Sequence, residues 1–150
     1  MFRFRLQTLL RLRLSERDQR RADLARAIRA EEMLRGEEQR LHHEQAESAR
    51  RGRSLKEPGA ANVDALLETH RYEVVLAARR RQLAAQLAQV EIETERRRQA
   101  LVEADRQVHV LEKLHQRQAA AYRKEAERLE AKQYDEMAVL GYVRRKGVTS

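Results

Sequence analysis

An all-α fold, an antiparallel two-helix coiled-coil hairpin with the second helix longer than the first, is predicted by three features of the sequence. The first is a single interruption: Pro58 is the only proline among 150 residues, and it stands beside Gly59 between two long stretches that read as helix. The second is composition, with 37% charged residues, 4% aromatic residues, no Trp and two Phe. That leaves too few bulky side chains for a compact core, while Leu, Ala, Arg, Glu and Gln are the strongest helix formers. The third is apolar spacing that alternates between three and four residues along both stretches. An ordinary globular enzyme is excluded on composition. A disordered chain would be poorer in Leu and richer in Pro, Gly and Ser. A single coiled-coil domain over residues 1–150 is expected.

Helix one is expected over about residues 2–56, some 80 Å at about 1.5 Å per residue. Its seam runs through Leu6, Leu10, Leu24, Ala27 or Ile28 (Ile28 is preferred), Leu34 and Leu41, with Arg13, Arg17, Arg20, Glu31 and Glu38 at intervening heptad sites. Gly36 lies inside this arm and costs about 1 kcal/mol relative to Ala, which leaves its continuity open. A turn is expected over about residues 57–62, where Pro58 and Gly59 break the first helix. Asn62 is placed to cap the second, with Asp64 favoured in its first turn. Helix two is expected over about residues 63–140, followed by a short tail, and its arm is some 120 Å long. Its seam is the stronger: Leu76, Leu83, Leu87, Val90, Leu101, Ala104, Val108 and Leu111, interrupted by Arg80, Thr94 and Arg97.

Two amphipathic helices joined by a short turn become antiparallel neighbours, and folding about residue 59 pairs positions whose numbers sum to about 118. Leu34 then faces Leu83, Ile28 faces Val90, Leu10 faces Val108 and Leu6 faces Leu111. In that register helix one is used up near residue 116, so roughly residues 117–140 have no partner within the chain and need one to stay helical. The net charge of +8 is uneven. Residues 1–35 hold ten Arg against five acids and residues 111–150 hold nine Lys or Arg against six, while the segments between are balanced. A basic open end and a neutral turn end point to two different partners, the one at the open end being acidic.

Chemistry of other kinds finds no support. Cysteine is absent, which excludes disulfides and thiolate metal sites and suits a reducing compartment, read here as cytoplasmic. No run approaches the ~20 apolar residues of a membrane span, and the start lacks the h-region of a secretory signal. There is no phosphate loop or nucleophile elbow, and none of His42, His43, His70, His109 and His115 stands four residues from another. No catalytic residue, cofactor, metal or small-molecule ligand is expected. Nucleic acid is the more serious rival, given a pI of about 10.4 and the clusters Arg79–Arg81, Arg96–Arg98 and Arg144–Lys146. The first two are opposed by neighbouring acids, and phosphate binding needs unopposed charge. A basic helical protein binding nucleic acid or an anionic membrane surface stands as the alternative, and a structural homodimer as a third.

The opening Phe2-Arg-Phe4-Arg-Leu6-Gln7-Thr-Leu9-Leu10 through Leu24-Ala25-Arg-Ala27 resembles the start of the flagellar FliJ family, and Leu111-Glu112-Lys113-Leu114 through Lys132-Gln-Tyr-Asp135-Glu136-Met-Ala138 resembles its C-terminal signature. The resemblance implies a non-enzymatic component of the flagellar type III export apparatus, cytoplasmic and peripheral to the inner membrane at the flagellar base. It further implies an antiparallel coiled coil similar to the stalk of rotary ATPases, with three partners: the hexameric export ATPase, the linker of the membrane export-gate protein, and export chaperones. The family's Arg-Tyr pattern near the start of helix two is matched by Arg71-Tyr72, with Val75 and Arg79 on the same face. On helix one His42, His43 and Ala46 depart from the aromatic version. Tyr72, Val75, Arg79, Tyr122, Leu129, Asp135 and Glu136 are the candidate partner contacts, and Tyr72 reads equally as a half-buried seam residue.

Overall fold

The computed structural model describes residues 1–59 and 62–148, and consists of two helices, α1 (Gln7–Leu55) and α2 (Val63–Val148). The fold is all-α with the second helix longer, as the sequence predicts. Residues 60 and 61 of the expected turn, and 149 and 150 of the expected tail, lie outside the described residues. Helix ends differ from expectation at both termini. α1 starts at Gln7 rather than near residue 2, with Gln7 N–H donating to the Phe4 carbonyl at 3.2 Å. α2 continues to Val148, past residue 140. No strong breaker stands between 140 and 148; Gly141 and Gly147 weaken a helix without ending it, and Arg145 and Lys146 suit its last turn.

The break has the expected chemistry. Gly59 has φ of 99°, a left-handed conformation that a side chain disfavours, and it follows Pro58 just after the last turn of α1. Asn62 Oδ1 accepts from Ala65 N–H at 3.2 Å, the N-cap bond that satisfies one open donor of α2.

Contacts gather in two compact units. In the larger, residues 18–103, the helices lie antiparallel: Glu44 meets Tyr72, Arg35 meets Glu91, and the Asp23 carbonyl meets Arg97. Its core holds Leu41, Leu76 and Leu83, with Leu34 against them. Ala27, Leu34, Leu41, Ser48 and Leu55 stand seven apart on α1, which corrects one seam position. Ala27 is buried at 5% exposure, whereas Ile28 is 36% exposed, one residue and about 100° off the row. Leu24, Val90 and Leu101 are half-buried, and Leu87 is buried.

Each interruption of the α2 seam is accommodated differently. Arg80 stays exposed and donates to Gln45 Oε1 at 3.1 Å. Thr94 is buried with an unpartnered hydroxyl. Arg97 is half-buried, giving one nitrogen to Glu93 at 2.9 Å and another to the Asp23 carbonyl at 2.7 Å. That last bond ties a charged side chain of α2 to the backbone of α1, so it favours one register over its neighbours.

The second unit joins residues 1–17 to residues from 104 onward, again with antiparallel neighbours: Arg17 meets Asp105, and Phe4 meets His115. Phe4, Leu10, Val108 and Leu111 form its buried core, with Leu6 and Leu114 packed against it, so Leu10 and Val108 share one cluster as the register predicts. The non-helical Met1–Leu6 changes how far this pairing reaches. Extended backbone advances about 3.3 Å per residue against about 1.5 Å in a helix. Phe2 therefore reaches Tyr122, beyond the expected limit near residue 116.

Candidate partner-binding surfaces

The first candidate surface lies in the unit of residues 18–103. Near the break, Glu44, Ser48 and Leu55 of α1 and Thr69, Tyr72 and Val75 of α2 border an open groove of about 720 Å³. Tyr72 and Val75 are three apart on one helix and share a face. They are 42% and 47% exposed, so neither belongs to the buried seam. The Tyr72 hydroxyl donates to Glu44 Oε2 at 3.1 Å. That hydrogen bond is the main cause of an upward shift of the phenol from its ordinary range, opposed by the positive charges of Arg79 and Arg51. The three expected residues of this surface are therefore neighbours: Tyr72 and Val75 in the groove, and Arg79 close enough to act on the phenol.

The second surface lies on the far part of α2. From Glu127 to Val148 every side chain is exposed. Leu129 is 52% exposed, Met137 61% and Leu140 63%, and within the uncharged run from Met137 to Val143 Tyr142 and Val143 are equally open. Asp135 and Glu136 are exposed beside them. Ala126, Leu129 and Leu140 continue the three-and-four spacing of Val108 and Leu111, so an apolar stripe that is covered as far as Tyr122 runs on uncovered. A stripe of this kind on a helix without packing neighbours is a candidate surface for another chain.

Tyr122 differs from the others proposed there. Its hydroxyl accepts from the Met1 amino group at 3.1 Å and its ring lies 5.7 Å from Phe2, so it anchors the N-terminal segment while remaining 45% exposed. The aromatic group to which it belongs was missed from the sequence. His115 stands edge-on to Phe4 at 4.9 Å and to Phe2 at 5.5 Å. The signal was present: Phe2-Arg-Phe4-Arg-Leu6 alternates with a period of two, the spacing of extended backbone. Phe4 is buried, Phe2 and Leu6 are half-buried, and Arg3 and Arg5 are exposed.

No three potential metal ligands cluster among the described residues, and no helix there is long and apolar enough to cross a membrane. Comparison with known proteins finds that a family model described as Flagellar FliJ protein matches residues 1–147. No curated protein and no solved structure matches the chain.

Proposed function

The chain belongs to the flagellar FliJ family, a component of flagellar export, and from that premise we propose that it is a stalk-like adaptor linking the export ATPase to the membrane export gate and to export chaperones. The family is one of structural export components, so the action is binding and positioning. The uncovered part of α2 supports this reading most directly. A helix with every side chain exposed from Glu127 to Val148 is marginal alone in water, and a partner that covers Leu129, Met137 and Leu140 would stabilise it.

On this reading the ATPase ring takes the uncovered stretch, with Leu129, Asp135 and Glu136 in contact and Tyr122 at its edge. The gate linker takes the groove of Tyr72 and Val75, with Arg79 beside it. The open phenol–carboxylate pair of Tyr72 and Glu44 offers a linker both a donor and an acceptor. The protein then works in the cytoplasm, at the inner face of the membrane.

The test is ATP hydrolysis and ring assembly by a purified export ATPase with and without the full chain. Stimulation is expected, and Leu129→Ala with Leu140→Ala should lower the affinity at least about tenfold while helix content is kept. Tyr72→Ala should spare stimulation and weaken gate binding. An ATPase indifferent to the wild-type chain would overturn the ring assignment, and unchanged gate binding by Tyr72→Ala would return Tyr72 to a structural role.

A further inference from the structure

The reach of the N-terminal segment brings together two basic stretches that contain no acid. Residues 1–14 contain Arg3, Arg5, Arg11 and Arg13 and no acid. Residues 113–124 contain Lys113, Arg117, Arg123 and Lys124 and no acid. They are separate in the sequence, but Phe2 and Phe4 lie against His115, and Phe2 against Tyr122, so the two form one collar in a single unit.

Of its eight cations only Arg13 has an acidic partner, Glu16, at 2.9 Å. The other seven are exposed and make no ion pair among the described residues. The unit of residues 18–103 differs in its balance: seventeen basic residues stand among sixteen acids, and Arg35, Arg40, Arg97 and Arg98 are among those in ion pairs. Concentrated, unopposed charge on long side chains attracts a polyanion.

We propose that this collar docks the protein on an anionic lipid surface, through phosphate headgroups. Two observations favour lipid over nucleic acid. The only aromatic ring of the collar with substantial exposure, Tyr122, is occupied with Phe2, so the collar itself offers no free ring for base stacking beside its cations. The same unit also exposes Tyr134, Val139, Tyr142 and Val143 at 58–69%, side chains that an acyl–headgroup boundary accommodates and a phosphate backbone does not. Seven free cations fall within the four to eight that suffice for peripheral attachment to acidic lipids. None of the seven cations is assigned to the ATPase or gate contacts, so substitutions in the collar test this proposal independently of that reading.

The experiment is co-sedimentation of the full chain with vesicles of phosphatidylcholine containing about one-third phosphatidylglycerol, and with phosphatidylcholine alone, over a range of salt. Binding to the acidic vesicles that declines with salt is expected, with little binding to the neutral ones. Removing one cation near the surface should reduce partitioning about fivefold, so Arg117→Gln, Arg123→Gln and Lys124→Gln together should reduce it about a hundredfold. Arg3→Gln with Arg5→Gln, which leaves α2 untouched, should reduce it about twenty-five-fold, and Arg80→Gln with Arg81→Gln should change nothing. Circular dichroism on each variant reports that the helices persist. Equal binding to neutral vesicles, indifference to the collar substitutions in folded variants, or tighter capture by duplex DNA at the same salt would overturn the proposal.

Discussion

Thr94 is buried to 3% exposure with a hydroxyl that finds no partner, and Ser48 is in the same position on α1. A buried polar atom left unbonded costs about 1–3 kcal/mol, and Val has nearly the shape of Thr without that cost. Thr94→Val should therefore stabilise the protein by about 1 kcal/mol, read as a higher midpoint in urea at unchanged slope. A lower midpoint would mean that the hydroxyl is bonded in solution. Thr94 and Arg97 were legible as breaks in the α2 seam, but how each is accommodated was not. The Arg97 acceptor is a backbone carbonyl, and side-chain patterns carry no information on that. The choice between Ala27 and Ile28 failed for a related reason. Hydrophobicity favours Ile, whereas the row is fixed by steps of seven from Leu34 and Leu41, and that row runs through Ala27.

Within α1, Gly36 raised the question of continuity, and the helix runs through it unbroken from Gln7 to Leu55. An added Cβ at Gly36 would meet nothing within 4 Å. Gly36→Ala should accordingly raise stability by about 1 kcal/mol in a urea titration, purely through helix propensity. No gain would indicate that the unfolded chain is already helical there. The start of α1 was misplaced because Leu6 and Leu10 fit a helical seam, and that pattern was carried back over an alternating segment. The end of α2 was placed too early because the seam weakens after Leu140, although helix propensity alone carries the backbone further. The break itself was the easiest element to read, since Pro58, Gly59 and Asn62 each have one physical role there.

Across the whole molecule stability is unevenly supplied. Leu76 and Val108 are almost completely buried, while nothing covers α2 from Glu127 onward. Native-state hydrogen exchange should show amides around Leu76–Leu83 and Val108–Leu111 protected, and those of Glu127–Val148 exchanging at least about tenfold faster in the free protein. Uniform protection along α2 would show that the far stretch is already covered, by a second copy of the chain. Charge is uneven too. The unit holding both termini has fifteen basic residues against eight acids, a net of +7, nearly all of the total. That asymmetry was legible from segment counts, but the acid-free collar was not, since it exists only once Phe2 is known to reach Tyr122. The same contact sets a schedule for biosynthesis. At about 5–20 residues per second, roughly ten seconds pass on the ribosome before Tyr122 is even polymerised. Through most of that interval the α2 side chains that shelter Phe2 and Phe4 do not yet exist, and the two phenylalanines, flanked by Arg3 and Arg5, stay open to whatever waits at the exit tunnel.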